Sequence, residues 1–242
     1  VLHIDWESNI NNDYKLDKKS LGNIEPNEIV NFHSITKGIK NYLCILNSDG
    51  RFKKVFFDKD MINSNRSFAI TRLKNNIKII DSFISNEEKI LIILTSIGRI
   101  FKFNLSDEFL TPTTKQSQGL ILVNLLPTEM IVSCCPCQNG EDIYLVSKKG
   151  KIFCINNNDI YYANEYSLGY LNERTKLKND YYLKILPSNH YLDIETNKNK
   201  SGRFDFDKLN FKSNKTNSLI EFLQLEKGEH LENCFRLKNF IN

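Results

Sequence analysis

Cys134 and Cys137, in the run Cys134-Cys135-Pro136-Cys137, have the spacing of a metal-binding or dithiol pair. A structural zinc site takes four ligands, and no second close pair follows in the chain. Cys154 and Cys234 stand alone in apolar runs, and His190 and His230 have no partner at ligand spacing. The four histidines, His3, His33, His190 and His230, form no triad with an acid and a Ser or Cys nucleophile. Glu87-Glu88 and Asp107-Glu108 fall in polar turn regions and read as solvated charges rather than as an acid–base pair. No glycine-rich phosphate loop opens a helix, so neither a nucleotide nor any other cofactor is expected. The remaining chemistry is cationic. Arg51, Arg99, Lys151 and Arg203 each follow a glycine directly, and the residues after them, Phe52, Ile100, Ile152 and Phe204, are apolar. A cation recurring at one position suits phosphate neutralisation by a basic rim; protection of exposed strand edges is the other reading.

Those cations need a repeated element to hold them. Thr95-Ser96-Ile97-Gly98-Arg99-Ile100-Phe101-Lys102-Phe103 reads as a hairpin: an apolar strand from Ile90 to Leu94, a turn closed by Gly98, and an outgoing strand from Arg99. The same device recurs at Asn47 to Phe52, at Ser147 to Ile152 and at Asn199 to Phe204. The four glycines are Gly50, Gly98, Gly150 and Gly202, spaced by 48, 52 and 52 residues. Strand alternation points the apolar residue at the core and the cation at solvent. Between hairpins, Leu21 to Val30, Ile70 to Ile80, Leu122 to Val132 and Phe222 to Leu231 form a second column ending in a new strand. The third copy is less regular, with a polar insertion from Asn172 to Asp180. About four short strands in a repeat of roughly 50 residues predict an all-β, propeller-like ring of four-stranded blades, four or more in number. Residues 1–20 are expected to be an opening strand and polar loop, and 21–242 the repeat domain.

The chain has 242 residues, 40% of them hydrophobic, and a net charge of +4. That charge is compatible with a polyanionic partner without implying one. No apolar run approaches the roughly 18 residues that cross a bilayer, so no membrane partner and a cytoplasmic location are expected. The chain opens at Val1, as a piece of a longer polypeptide would.

The run Gly98-Arg99-Ile100-Phe101-Lys102-Phe103, then Lys115-Gln116-Ser117-Gln118-Gly119, then Val123-Asn124-Leu125-Leu126-Pro127-Thr128-Glu129-Met130-Ile131-Val132 resembles a known repeat. It is similar to the C-terminal repeat of the A subunit of bacterial type IIA topoisomerases, DNA gyrase and topoisomerase IV. The resemblance runs from about Leu21 to Phe240 and takes in Phe222 to Glu229. It implies a β-pinwheel, a ring whose blades exchange strands and whose basic outer rim binds and bends or wraps duplex DNA without sequence preference. It also implies work in DNA topology control beside a cleavage core and a B (ATPase) subunit, in association with the nucleoid. The residues it assigns to DNA are Arg51, Arg99, Lys151 and Arg203 of the hairpins and Arg66, Lys115 and Lys215 of the loops, with Lys53, Lys54, Lys102 and Lys149 as neighbours.

The chain departs from that family in two ways. It lacks the Gln-Arg-Arg-Gly-Gly-Lys-Gly box of gyrase, for which Thr36-Lys37-Gly38-Ile39-Lys40 is a poor substitute, so gyrase and topoisomerase IV stay undistinguished. None of its arginines precedes a tyrosine, as the family's DNA-breaking motif requires, so the chain is not expected to cleave DNA alone. The fourth repeat is locally acidic between His190 and Asp207, which predicts a weak contact there except through Lys198, Lys200 and Arg203. A β-propeller serving as a protein-interaction scaffold without DNA is the alternative, expected to show an apolar patch on a flat face.

Overall fold

The computed structural model describes residues 33, 40–57, 69–85, 89–164, 167–171, 173–188, 190–205 and 219–238. The opening segment 1–20, the column segment 21–30, most of the box-like run 36–40, Glu87-Glu88, Arg66 and Lys215 lie outside them.

Four hairpins set the architecture. They are β1 (Asn41–Asn47) with β2 (Arg51–Phe57), β4 (Ile90–Thr95) with β5 (Ile100–Asn104), β8 (Asp142–Ser147) with β9 (Lys151–Asn156), and β11 (His190–Thr196) with β12 (Ser201–Asp205). Each gains an inner strand from the segment that follows it: β3 (Ile79–Ser85), β7 (Ile131–Cys137), β10 (Tyr182–Pro187) and β14 (Leu231–Lys238). The outer strand comes from farther along the chain. β6 (Leu120–Ile121) lies beyond the second hairpin yet pairs with β2 of the first, and β13 (Leu219–Glu221) lies beyond the fourth yet pairs with β9 of the third. In the second sheet that place is held by reciprocal bonds between Ile100 and Tyr170, of 2.8 and 2.7 Å. The described strands therefore form four antiparallel blades tied together by strand exchange.

Apolar alternation serves two cores at once. Along β4, Leu91 and Ile93 pack with Leu46, Phe52 and Phe83 of the first blade, while Ile92 and Leu94 pack with Leu145, Phe153 and Tyr182 of the third. A strand sandwiched on both faces has no polar side, which is why Ile90 to Leu94 is one unbroken apolar run. Burying each such Ile or Leu stabilises by about 1.5–3 kcal/mol. The fourth blade differs: Leu192 and Ile194 face the third blade, and Asp193 and Glu195 lie between them on the outward face, half-buried.

Two sequence expectations are corrected. Gly50, Gly98 and Gly150 have φ of +80°, +89° and +72°, but the corresponding position in the fourth hairpin is Asn199, with φ of +57°. Its N–H reaches back to Thr196 O, as those of Gly50, Gly98 and Gly150 reach Asn47, Thr95 and Ser147. Gly202 lies inside β12 without a positive φ, so the cation after the turn is Lys200 rather than Arg203. The second correction concerns direction. In the first two blades the residue after the turn does not point freely to solvent, because the exchanged segment covers it: Arg99 is buried and Arg51 half-buried, whereas Lys200 in the fourth blade is exposed.

Candidate nucleic-acid interface

Four cations assigned to DNA are spent inside the protein. Lys53 is fully buried, and its ammonium donates to the carbonyls of Ile70 (2.5 Å), Lys115 (2.8 Å) and Ser117 (2.7 Å). Burial holds its pKa below the usual lysine value. Lys54 donates to Leu105 O and to Asp107 Oδ1, each at 2.6 Å. Lys102 donates to Asn157 O at 2.8 Å and lies over the Tyr162 ring, and burial lowers its pKa too. Arg99 donates through Nε and Nη2 to the two oxygens of Glu129, through Nη1 to Leu168 O (2.8 Å) and through Nη2 to Asn124 O (2.9 Å). These groups fasten loops and exchanged segments to the strands beneath. Lys53 spends all three ammonium donors on carbonyls, and Lys54, Arg99 and Lys102 are buried with it, away from an approaching phosphate.

The other assignments divide. Arg51 pairs with Asp49 at 3.2 Å and donates to Gly119 O at 3.2 Å. Arg203 pairs with Asp193 at 2.6 Å. Lys198 and Lys200 both hold Glu226, whose carboxyl they keep at about 2, and Lys200 also reaches the buried Glu229. The fourth blade thus neutralises most of its own charge. Lys149 and Lys115 are exposed and Lys151 is half-buried.

The basic surface lies where the hairpin turns meet the turns that lead into the inner strands. One backbone contact repeats in all four blades: Ser48 N to Lys78 O, Ser96 N to Met130 O, Lys148 N to Tyr181 O and Asn197 N to His230 O, at 2.8–3.1 Å. It sets the two turn types side by side at one end of each blade, the turn face. That face carries Arg72, Lys74 and Lys78 at the first blade, Lys148, Lys149, Lys151 and Lys178 at the third, and Lys198, Lys200 and Lys227 at the fourth. Its exposed or half-buried carboxylates are few; Asp49, Asp180 and Glu226 each bind a partner already named or a backbone N–H.

The opposite face, where the strands begin and end, carries Asp107, Glu108, Glu141, Asp142 and Asp159 against Lys40 and Lys89. Asp107 sits between Lys54, Tyr42 and Lys40; burial alone would raise its pKa, but these three hydrogen bonds hold it far below the carboxylate range. Among the described residues, the turn ends of the blades are therefore mainly basic and the opposite ends mainly acidic. Arg72, Lys74, Lys78, Lys148, Lys178 and Lys227 were not among the sequence candidates, because they lie in turns rather than directly after a hairpin glycine. At the second blade the same face is apolar instead, with Ile97, Leu126 and Met130 each close to half exposed.

The cysteine run belongs to β7 and is buried, and burial pushes the Cys137 thiol up to about 12.

No family model and no curated protein matches the sequence. Solved structures match the fold. The C-terminal domain of DNA topoisomerase IV superposes with a TM-score of 0.65 at 14% identity, over 84% of this chain and 64% of that one. The chain thus spans just under two thirds of that domain's length. The C-terminal domain of DNA gyrase A gives 0.67 at 14% identity over 92% and 75%, and that of E. coli ParC gives 0.56 at 14% over 82% and 80%. The all-β sheets with exchanged outer strands are those of a β-pinwheel.

Proposed function

We propose that this chain binds duplex DNA without sequence preference and presents it to the cleavage core of a type IIA topoisomerase, as part of an A subunit working with a B subunit. The pinwheel fold supports the assignment, and one observation carries it: exposed cations gather on the turn face while the opposite face is acidic. A surface of that kind neutralises phosphates, releases counterions and orients the duplex toward itself. Bending or wrapping then follows from a duplex tracking successive blades, at a deformation cost set by its stiffness. Catalysis belongs outside this chain.

The test is duplex affinity of the 242-residue chain against salt. The logarithm of affinity should fall linearly with that of salt concentration, at roughly −0.9 per phosphate engaged. A slope near zero, or no binding at low salt, would falsify the proposal. A second reading, a protein-docking surface, has its own support in the apolar interruption at Ile97, Leu126 and Met130. Loss of binding to a topoisomerase core, but not to DNA, when Met130 becomes Asp would favour it.

A further inference from the structure

Between the third and fourth blades the turn face opens into a cleft of about 640 Å³. Lys148 and Lys149 of the third hairpin turn, Lys151 at the start of β9, Asn179 and Tyr181 of the lead-in turn, and His230 of the fourth blade line it. We propose that this cleft is an anion site that takes adjacent phosphates, supplied either by a duplex backbone or by a free polyphosphate. The duplex source rests on the DNA-binding reading above; the free polyphosphate does not.

The carboxylates at the cleft are already occupied. Asp180 accepts from Ser147 Oγ (2.7 Å) and from the N–H groups of Lys149 (3.1 Å) and Tyr181 (2.8 Å). Glu229 accepts from Thr196 Oγ1 (3.0 Å), Glu226 N (2.9 Å) and Lys200 (3.1 Å). Glu226 holds Lys198 and Lys200. These acids spend their charge on the blade itself, while Lys148, Lys149 and Lys151 line the same cleft.

Comparison between blades gives a second, independent indication. The residue after the positive-φ turn position is Glu129, Asp180 or Glu229 in the second, third and fourth blades, following Thr128, Asn179 and Gly228. The cation after the hairpin turn is Arg99, Lys151 or Lys200. Arg99 closes on Glu129 and Lys200 on Glu229. Asp180 is one methylene shorter and has turned to Ser147, so it does not take Lys151 as its partner. Lys151 itself lines the cleft. Lys148 is oriented by its bond to Tyr181 Oη (2.9 Å) over the same ring, keeping two donors of its ammonium for a ligand. Three lysines around one concave cleft also lined by Leu223 and Leu225 fit vicinal phosphates rather than a single small ion.

The probes are inorganic tripolyphosphate, read by calorimetry, and a 20-base-pair duplex, read as affinity against salt. Lys149→Ala/Lys151→Ala should weaken tripolyphosphate by about tenfold or more, Lys149→Arg/Lys151→Arg should restore most of it, and Lys74→Ala/Lys78→Ala should leave it unchanged. If the cleft variant also lowers the duplex salt slope by about 2, the phosphates are those of DNA. If tripolyphosphate is lost while duplex binding is unchanged, or never observed, the cleft serves a free polyphosphate and the proposal stands without the DNA reading. No tripolyphosphate binding by the unaltered chain together with an unchanged duplex slope overturns it. An equal loss in the first-blade control does so as well.

Discussion

Arg99 and Glu129 close a two-point ion pair beneath the surface of the second blade, with the arginine also holding Asn124 O and Leu168 O. The carboxylate belongs to the turn leading into β7, while Leu168 belongs to the segment whose neighbour Tyr170 completes the blade's outer edge. One guanidinium therefore joins the hairpin, the inner strand and the exchanged segment. Removing one partner strands a buried charge. Arg99→Ala and Glu129→Ala should each cost about 3–5 kcal/mol in denaturant unfolding. Arg99→Met/Glu129→Leu should cost less than the sum of the two, since it strands neither charge. Additive losses would show that the pair is not coupled.

The same carboxylate gives the fold an acid limit. Burial would raise the Glu129 pKa, but the Arg99 hydrogen bonds and the Leu126 N–H overcome it and hold the group below its ordinary value. The unfolded chain, near about 4.3, takes up the proton first as pH falls. The pair's contribution is complete above that value and is lost as pH drops through the lowered folded pKa. Unfolding free energy measured from pH 6 to pH 3 should fall more steeply in the native sequence than in Glu129→Gln. Parallel curves would assign the acid sensitivity to other groups.

Sequence reading recovered the hairpins because a turn with positive φ selects glycine, and three of four repeats obey that rule. It misplaced the fourth because asparagine also tolerates the left-handed region, so Asn199 does the work while Gly202, the more conspicuous residue, sits in a strand. It misjudged the exposure of several cations for a different reason. Alternation tells which face of a strand a side chain takes, but a blade packed on both sides offers no free face. Whether Arg99, Lys53 or Lys102 meets water is decided by segments that arrive from 17 to 69 residues away, as in the bonds from Lys53 to Ile70 and from Arg99 to Leu168. No local pattern carries that information. The turn-face lysines were readable only once the two turn columns were known to lie side by side.

That correction is itself testable at two glycines. A Cβ on Gly98 would stand 2.8 Å from the Tyr182 ring and would also have to adopt a φ of +89°. At Gly202 the nearest atom is 3.4 Å away, the tip of Phe204, and φ is not positive. Gly98→Ala should destabilise by more than about 1 kcal/mol, and Gly202→Ala should be close to neutral. Asn199→Gly should be tolerated, because glycine adopts the left-handed turn at no steric cost. Thermal unfolding of the three variants checks the set. Equal damage at both glycines would restore Gly202 to the turn.

Burial separates two kinds of basic residue that look alike in sequence, and they should fail in different ways. Lys53→Met leaves the carbonyls of Ile70, Lys115 and Ser117 without their buried donor. It should lose on the order of 1–3 kcal/mol or more in stability. Its duplex salt slope, measured where the chain is still folded, should stay unchanged. Arg72→Ala/Lys74→Ala/Lys78→Ala removes three exposed charges from the turn face. That variant should keep its melting temperature within a degree or two, since surface substitutions cost little. Its salt slope should fall by up to about 2.7 if all three meet phosphates. The opposite outcome, a flat slope for the triple variant and a reduced one for Lys53→Met, would move the DNA path from the turn face to the outer rim. There the exchanged strand β6 and Lys115 would have to carry it.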